Sequence, residues 1–165
     1  MIREIFYKQI LKELRGAKTI IDIGAGNSLY KYQYGKRKLK FYEFVKDNNG
    51  FDITPIDIKP ENKDIVEMDY KDINKEYDVF FSSHFIEHIS DAINYMEIAQ
   101  KYCKKYIVTI TGKPNKKFWN EPTHTRPHTI QSIKSLYGWY DFTPTRIFNF
   151  VRSFCVIGAK DEKKN

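Results

Sequence analysis

Short runs of β-branched and aromatic residues alternate along this chain with segments of helical spacing, and that alternation constrains the fold most. TIIDI (19–23), FDITPIDI (51–58), DIVEMD (64–69), YDVFFSS (77–83) and YIVTIT (106–111) read as strands; RIFNF (146–150) and FCVIGA (154–159) form a closing pair. Between them, Ile2, Phe6, Ile10 and Leu14 recur every fourth residue, and Ala92, Met96, Ala99 and Cys103 follow i, i+4, i+7, i+11. Both patterns are apolar stripes of helices. Gly16 ends the first helix, and Asp91 or Ser90 caps the later one. A further helix is expected near 38–48, closed by Asn49 and Gly50, and another through Ile130, Ile133 and Tyr137. Pro55 marks either a weak strand start or a bulge.

Strands that alternate with helices build a mostly parallel sheet covered on both faces. The expectation is therefore an α/β three-layer sandwich of seven strands, closed by an antiparallel hairpin. Ligands of such sheets sit outside the carboxyl ends of the strands. A chain of 165 residues, 41% hydrophobic, suits a single domain over 1–160 with a frayed basic tail at 161–165. The charged N-terminus is no secretory signal, no apolar run spans a bilayer, and two cysteines make no disulfide scaffold. A cytoplasmic protein without membrane contact, monomeric or homodimeric, is expected.

The loop after the first strand reads Asp22-Ile23-Gly24-Ala25-Gly26. Two glycines directly after a buried strand let a ligand approach the backbone, although an ordinary tight turn has the same composition. Leu29 stands where G-x-G-x-x-G requires its third glycine, which disfavours a pyrophosphate-bearing dinucleotide.

The ordered set IIDIGAG, PIDI, VEMD, YDVFFSSHFIEHISD and YIVTIT resembles the class I, Rossmann-like S-adenosylmethionine (SAM)-dependent methyltransferases, particularly the ubiquinone-biosynthesis and small-molecule branch. The resemblance spans nearly the whole chain and implies SAM as cofactor, with S-adenosylhomocysteine (SAH) as product. It assigns Asp22, Ile23, Gly24, Ala25 and Gly26 to the loop beside the cofactor's amino-acid part. Asp57 and Ile58 fall to the ribose, Met68, Asp69 and Tyr70 to the adenine, and Ser82, Ser83 and His84 to the region under the sulfonium. Trp119, His124 and Arg126 are implied near the substrate, and His84 and His124 are the candidate catalytic residues. The stretch between the glycines and Asp57 is longer than the family pattern.

The formal net charge of +7 and the lysines after the first and fifth strands favour an anionic acceptor, a small molecule or nucleic acid. Tyr30, Tyr32 and Tyr34 are placed to stack on bases. Two other functional readings stay open. One is a SAM-binding protein without catalysis, serving a regulatory or nucleic-acid-binding role. The other is a zinc hydrolase, because His84-Phe85-Ile86-Glu87-His88 matches H-x-x-E-H. The favoured account contains no metal, since His84 follows a strand directly and the two rings need not share a helical face.

Overall fold

A computed structural model describes residues 2–26, 40–47, 50–115, 120 and 122–162. Seven strands form one sheet in the order β3-β2-β1-β4-β5-β7-β6. β1 (Thr19–Ile23), β2 (Asp52–Asp57), β3 (Val66–Glu67), β4 (Tyr77–Ser83) and β5 (Cys103–Gly112) are parallel, while β7 (Ser153–Lys160) runs antiparallel to both β5 and β6 (Phe142–Asn149). This is the expected mixed sheet. Its strand order reverses between β1 and β4, which opens a crevice at the carboxyl ends of those two strands.

The period-two alternation of the strands sorts the core into two layers. Ile21, Ile23, Phe80, Ile107, Phe154 and Val156 face one layer, completed by α3 (Ala92–Tyr102) and α4 (Ile130–Trp139). Ile20, Val79, Phe81, Val108, Cys155 and Ile157 face the other, under α1 (Ile2–Glu13) and α2 (Phe41–Asp47). Phe41 of α2 stacks on Phe81 with ring centroids 3.7 Å apart. The α3 stripe is buried as expected at Ala92, Met96 and Ala99, with Tyr95 added; Cys103 has already left the helix as the first residue of β5. Asp91 caps α3 by accepting the Asn94 N–H at 2.9 Å. Thr129 and Ser132 form a capping box at the start of α4.

Several boundaries differ from the sequence reading for identifiable reasons. β6 begins at Phe142 rather than Arg146, because Phe142 is fully buried while the positions after it are largely exposed and carry little apolar signal. β3 shrinks to Val66 and Glu67, both exposed at the sheet edge. Pro55 makes no bulge with β1: it lies in unbroken register opposite Asp22. The Asp52 N–H bonds Lys18 on the β1 side, so alternation turns the nitrogen of Pro55 toward β3, whose pairing begins only at Ile56. No helix among the described residues is long and apolar enough to cross a membrane.

Candidate functional site

The glycine turn, the end of β2 and the end of β4 meet at the crevice. Gly24 carries φ +76°, a left-handed conformation that glycine adopts without cost. The N–H groups of Gly24 and Ala25 both donate to the Ile56 carbonyl at 3.0 Å, folding the turn back over β2. Asp57 then fixes the far side of the turn. Its Oδ2 accepts the Gly26 N–H at 3.1 Å and its Oδ1 accepts the Lys59 N–H at 2.8 Å. Each oxygen keeps one lone pair for a further donor.

The glycines also serve packing. A Cβ on Gly24 would come within 2.8 Å of the Phe85 ring, and one on Gly26 within 2.7 Å of Ile65 Cδ1. The room they leave is thus taken partly by this chain's own side chains. Ile23 points into the core, and Tyr70 is buried edge-on against Phe85 and Tyr95, with centroids 5.6 and 5.8 Å away. Ile58 is exposed, and Met68 and Asp69 are half-buried. Asp69 accepts the Lys71 N–H at 3.0 Å and caps a short 3₁₀ turn over Tyr70–Asp72.

Asp22 is buried beneath the turn, and burial pushes its carboxyl up to about 7, against the pull of the Tyr42 N–H and Lys40; the nearby Asp57 adds to the rise. A protonated or half-protonated acid at this depth is the expected result of desolvation.

The end of β4 carries the second feature. His84 sits at φ +53° and donates its backbone N–H to the Ile110 carbonyl at 2.8 Å. Its Nδ1 lies 2.9 Å from Glu87 Oε1, and a carboxylate accepts only, so Nδ1 carries a proton and donates. Glu87 is completely buried, yet its carboxyl lies below the ordinary range: burial pushes it up, but His84 and Thr111 outweigh that. Thr111 Oγ1 donates to Oε2 at 2.9 Å and the Gly112 N–H to Oε1 at 3.3 Å. Tyr95 OH reaches Ser82 Oγ at 3.4 Å below this network.

The segment before α4 docks on the same turn. Thr125 donates its N–H to the Glu87 carbonyl at 2.8 Å and its hydroxyl to the Ile89 carbonyl at 2.8 Å. His88 and His124 bring their rings to 4.7 Å. His128 is buried, which holds its imidazole below its usual range, against the raising influence of Glu87. All four histidines of the chain therefore gather around one glutamate, two strand ends apart in sequence.

Most residues assigned from sequence thus surround the crevice: Asp22, Gly24, Ala25, Gly26, Asp57, Ile58, Met68, Asp69, Ser83 and His84 cluster at the ends of β1, β2, β3 and β4. Arg126 is exposed, with its charge felt at His128. Trp119, Tyr30, Tyr32, Tyr34 and the lysines at 31, 36, 38, 116 and 117 lie outside the described residues. Lys113, counted among the basic rim, bonds the Phe150 carbonyl of the β6–β7 connection. The H-x-x-E-H segment is a turn rather than a helix; His124, not His84, joins Glu87 and His88. Sequence reasoning missed Glu87 as the centre of this arrangement. Its one signal was its place between Ile86 and His88 in the H-x-x-E-H segment, read there only as part of the zinc alternative.

No protein-family model and no curated protein sequence matches the chain. Solved structures do. A SAM-dependent methyltransferase from Archaeoglobus fulgidus superposes with a TM-score of 0.71 at 16% identity, over 96% of this chain and 93% of that one. The magnesium protoporphyrin IX methyltransferase from Synechocystis, solved with bound SAM, gives 0.64 at 12% identity, over 96% and 80%. A SAM-dependent methyltransferase from Aquifex aeolicus gives 0.63 at 12% identity, over 93% and 88%. The mixed seven-stranded sheet with its inserted antiparallel β7 is, accordingly, the Rossmann-like fold of the class I SAM-dependent methyltransferases.

Proposed function

We propose that this protein is a SAM-dependent methyltransferase acting on an anionic acceptor. The carrying observation is Asp57, buried at the carboxyl end of β2 with its carboxylate bonded to the glycine turn and a lone pair left on each oxygen. A ribose diol offers two donors to such a carboxylate, and charge-assisted bonds of this kind are strong. The surrounding donor set fits a nucleoside without phosphates, because the turn presents acids and apolar side chains rather than an anion cradle. Exposed Ile58 and half-buried Met68 offer flat apolar surface to an adenine, with Asp69 as acceptor beside them. Ser83 and His84, at the end of β4, would lie under the reactive sulfur.

When bound, SAM supplies an electrophilic methyl carbon, so the protein's main contribution is alignment. Glu87 fixes the ring of His84, and the Thr125 bonds fix the segment carrying His124 and Arg126 to the turn that follows β4. Arg126 and the net charge of +7 favour an acceptor with phosphate or carboxylate groups, either a small molecule or a nucleic acid.

Labelled SAM incubated with the protein and fractionated cell extract tests the reading. The expected result is label in an anionic fraction, with transfer that weakens as salt is raised. No transfer in any fraction, under conditions where SAM binds, would leave a SAM-binding protein without methyl transfer.

A further inference from the structure

We propose that Glu87, His88 and His124 form a site for one divalent transition-metal ion of the zinc type, beside the methyl-transfer crevice. One ligand atom from each lies within 4.8 Å of the others. Zinc bonds of about 2.1 Å place tetrahedral ligand atoms roughly 3.4 Å apart, so modest rotation of two solvent-accessible rings completes the set. Two imidazoles with one carboxylate match the His₂Glu composition of zinc sites that keep an open position, and nitrogen donors disfavour magnesium.

The surrounding bonds orient each ligand. His88 Nδ1 faces the Thr123 carbonyl at 3.2 Å and donates to it, so in the neutral ring Nε2 is the nitrogen that offers a lone pair to a metal. Glu87 is held by His84, Thr111 and Gly112, yet a carboxylate has about four acceptor positions and Oε2, bonded by Thr111, retains coordinating capacity. These are the outer bonds that fix a coordinating carboxylate. His128 adds an independent sign. It is 3% exposed, lies within the electrostatic reach of Glu87, and its Nε2 has no hydrogen-bond partner among the described residues. A buried imidazole nitrogen with a lone pair or proton to satisfy fits a bound ion or its water. His88 is exposed, which supplies an entry path.

An open position on the ion would take an oxygen of the anionic acceptor. That extension rests on the methyltransferase reading; the ion site does not.

Calorimetric titration of the tag-free full chain with ZnCl₂ and, separately, MgCl₂ tests the site, with Co²⁺ absorption reporting geometry. Expected are one Zn²⁺ per chain, far weaker Mg²⁺ binding, and Co²⁺ bands of a tetrahedral nitrogen–oxygen site. His88→Ala, at an exposed position that leaves the core intact, should weaken Zn²⁺ by at least about tenfold. His88→Ala/His124→Ala should abolish the bands while thermal melting confirms a folded chain. No saturable Zn²⁺ binding, or Zn²⁺ binding unchanged in His88→Ala, would overturn the proposal. SAH titrated into the same samples keeps the outcomes separate: ion binding can fail while the nucleoside site succeeds, and the reverse.

Discussion

Asp57 Oδ2 accepts the backbone N–H of Gly26 at 3.1 Å, joining the end of β2 to the turn after β1 across 31 residues of sequence. The Lys59 N–H bonds the other oxygen, and because each oxygen keeps a second lone pair, this carboxylate both builds the turn and remains available to a ligand. Structure and binding are therefore coupled at one side chain.

Asp57→Ala removes the acceptor from two backbone donors and from the proposed ribose contact. A lost hydrogen bond to a charged group costs about 1.5–3 kcal/mol, so SAH affinity should fall by roughly 10- to 100-fold. Asp57→Asn keeps one acceptor oxygen and should lose less. Parallel calorimetry of the two variants checks the order.

Gly24→Ala should destabilise the fold more than Gly26→Ala. At Gly24 both the φ of +76° and the Phe85 ring oppose a Cβ. At Gly26 the obstacle is the terminal methyl of Ile65, at an unstrained backbone position. Overpacking costs about 1–3 kcal/mol, with the left-handed backbone adding to it for Gly24 alone. Urea unfolding of both variants measures the difference.

Asp22 gives stability a pH dependence of definite sign. Its carboxyl rises from 3.8 to about 7 on folding, so between those values the native state binds more protons than the unfolded chain. Stability from this group is full below about pH 4, falls as pH rises toward 7, and is flat above. Asp22→Asn should therefore be more stable than the parent at pH 8 and should lose that advantage near pH 4. Thermal melts of both proteins across this range check it.

Glu87→Ala should be among the costlier single changes at the site. It strands the Thr111 hydroxyl and the Gly112 N–H and frees the ring of His84. Buried donors left unpaired cost about 1–3 kcal/mol each. Denaturant unfolding gives the total, and faster amide exchange at Thr125 would report loosening of the segment before α4.

The fold was legible because burial on both faces forces apolar runs on central strands. TIIDI and YDVFFSS match β1 and β4 residue for residue. The extents of the edge strands were not: DIVEMD and RIFNF overlap β3 and β6, but these strands lack a dry face along most of their length, so their ends carry no pattern to read. At the site, the strand-end acids and glycines were visible because β1 and β2 place them in a fixed register. The gathering of His84, His88, His124 and His128 on Glu87 was not, because it depends on how the segment before α4 docks through Thr125, a long-range contact without periodicity.

Calorimetric titration of SAM and of SAH into the folded chain tests the nucleoside crevice most directly. The account predicts saturable one-to-one binding of both, lowered at least about tenfold by Asp57→Ala. A chain that is folded by circular dichroism and binds neither, or an Asp57→Ala variant that binds both as the parent does, would contradict it.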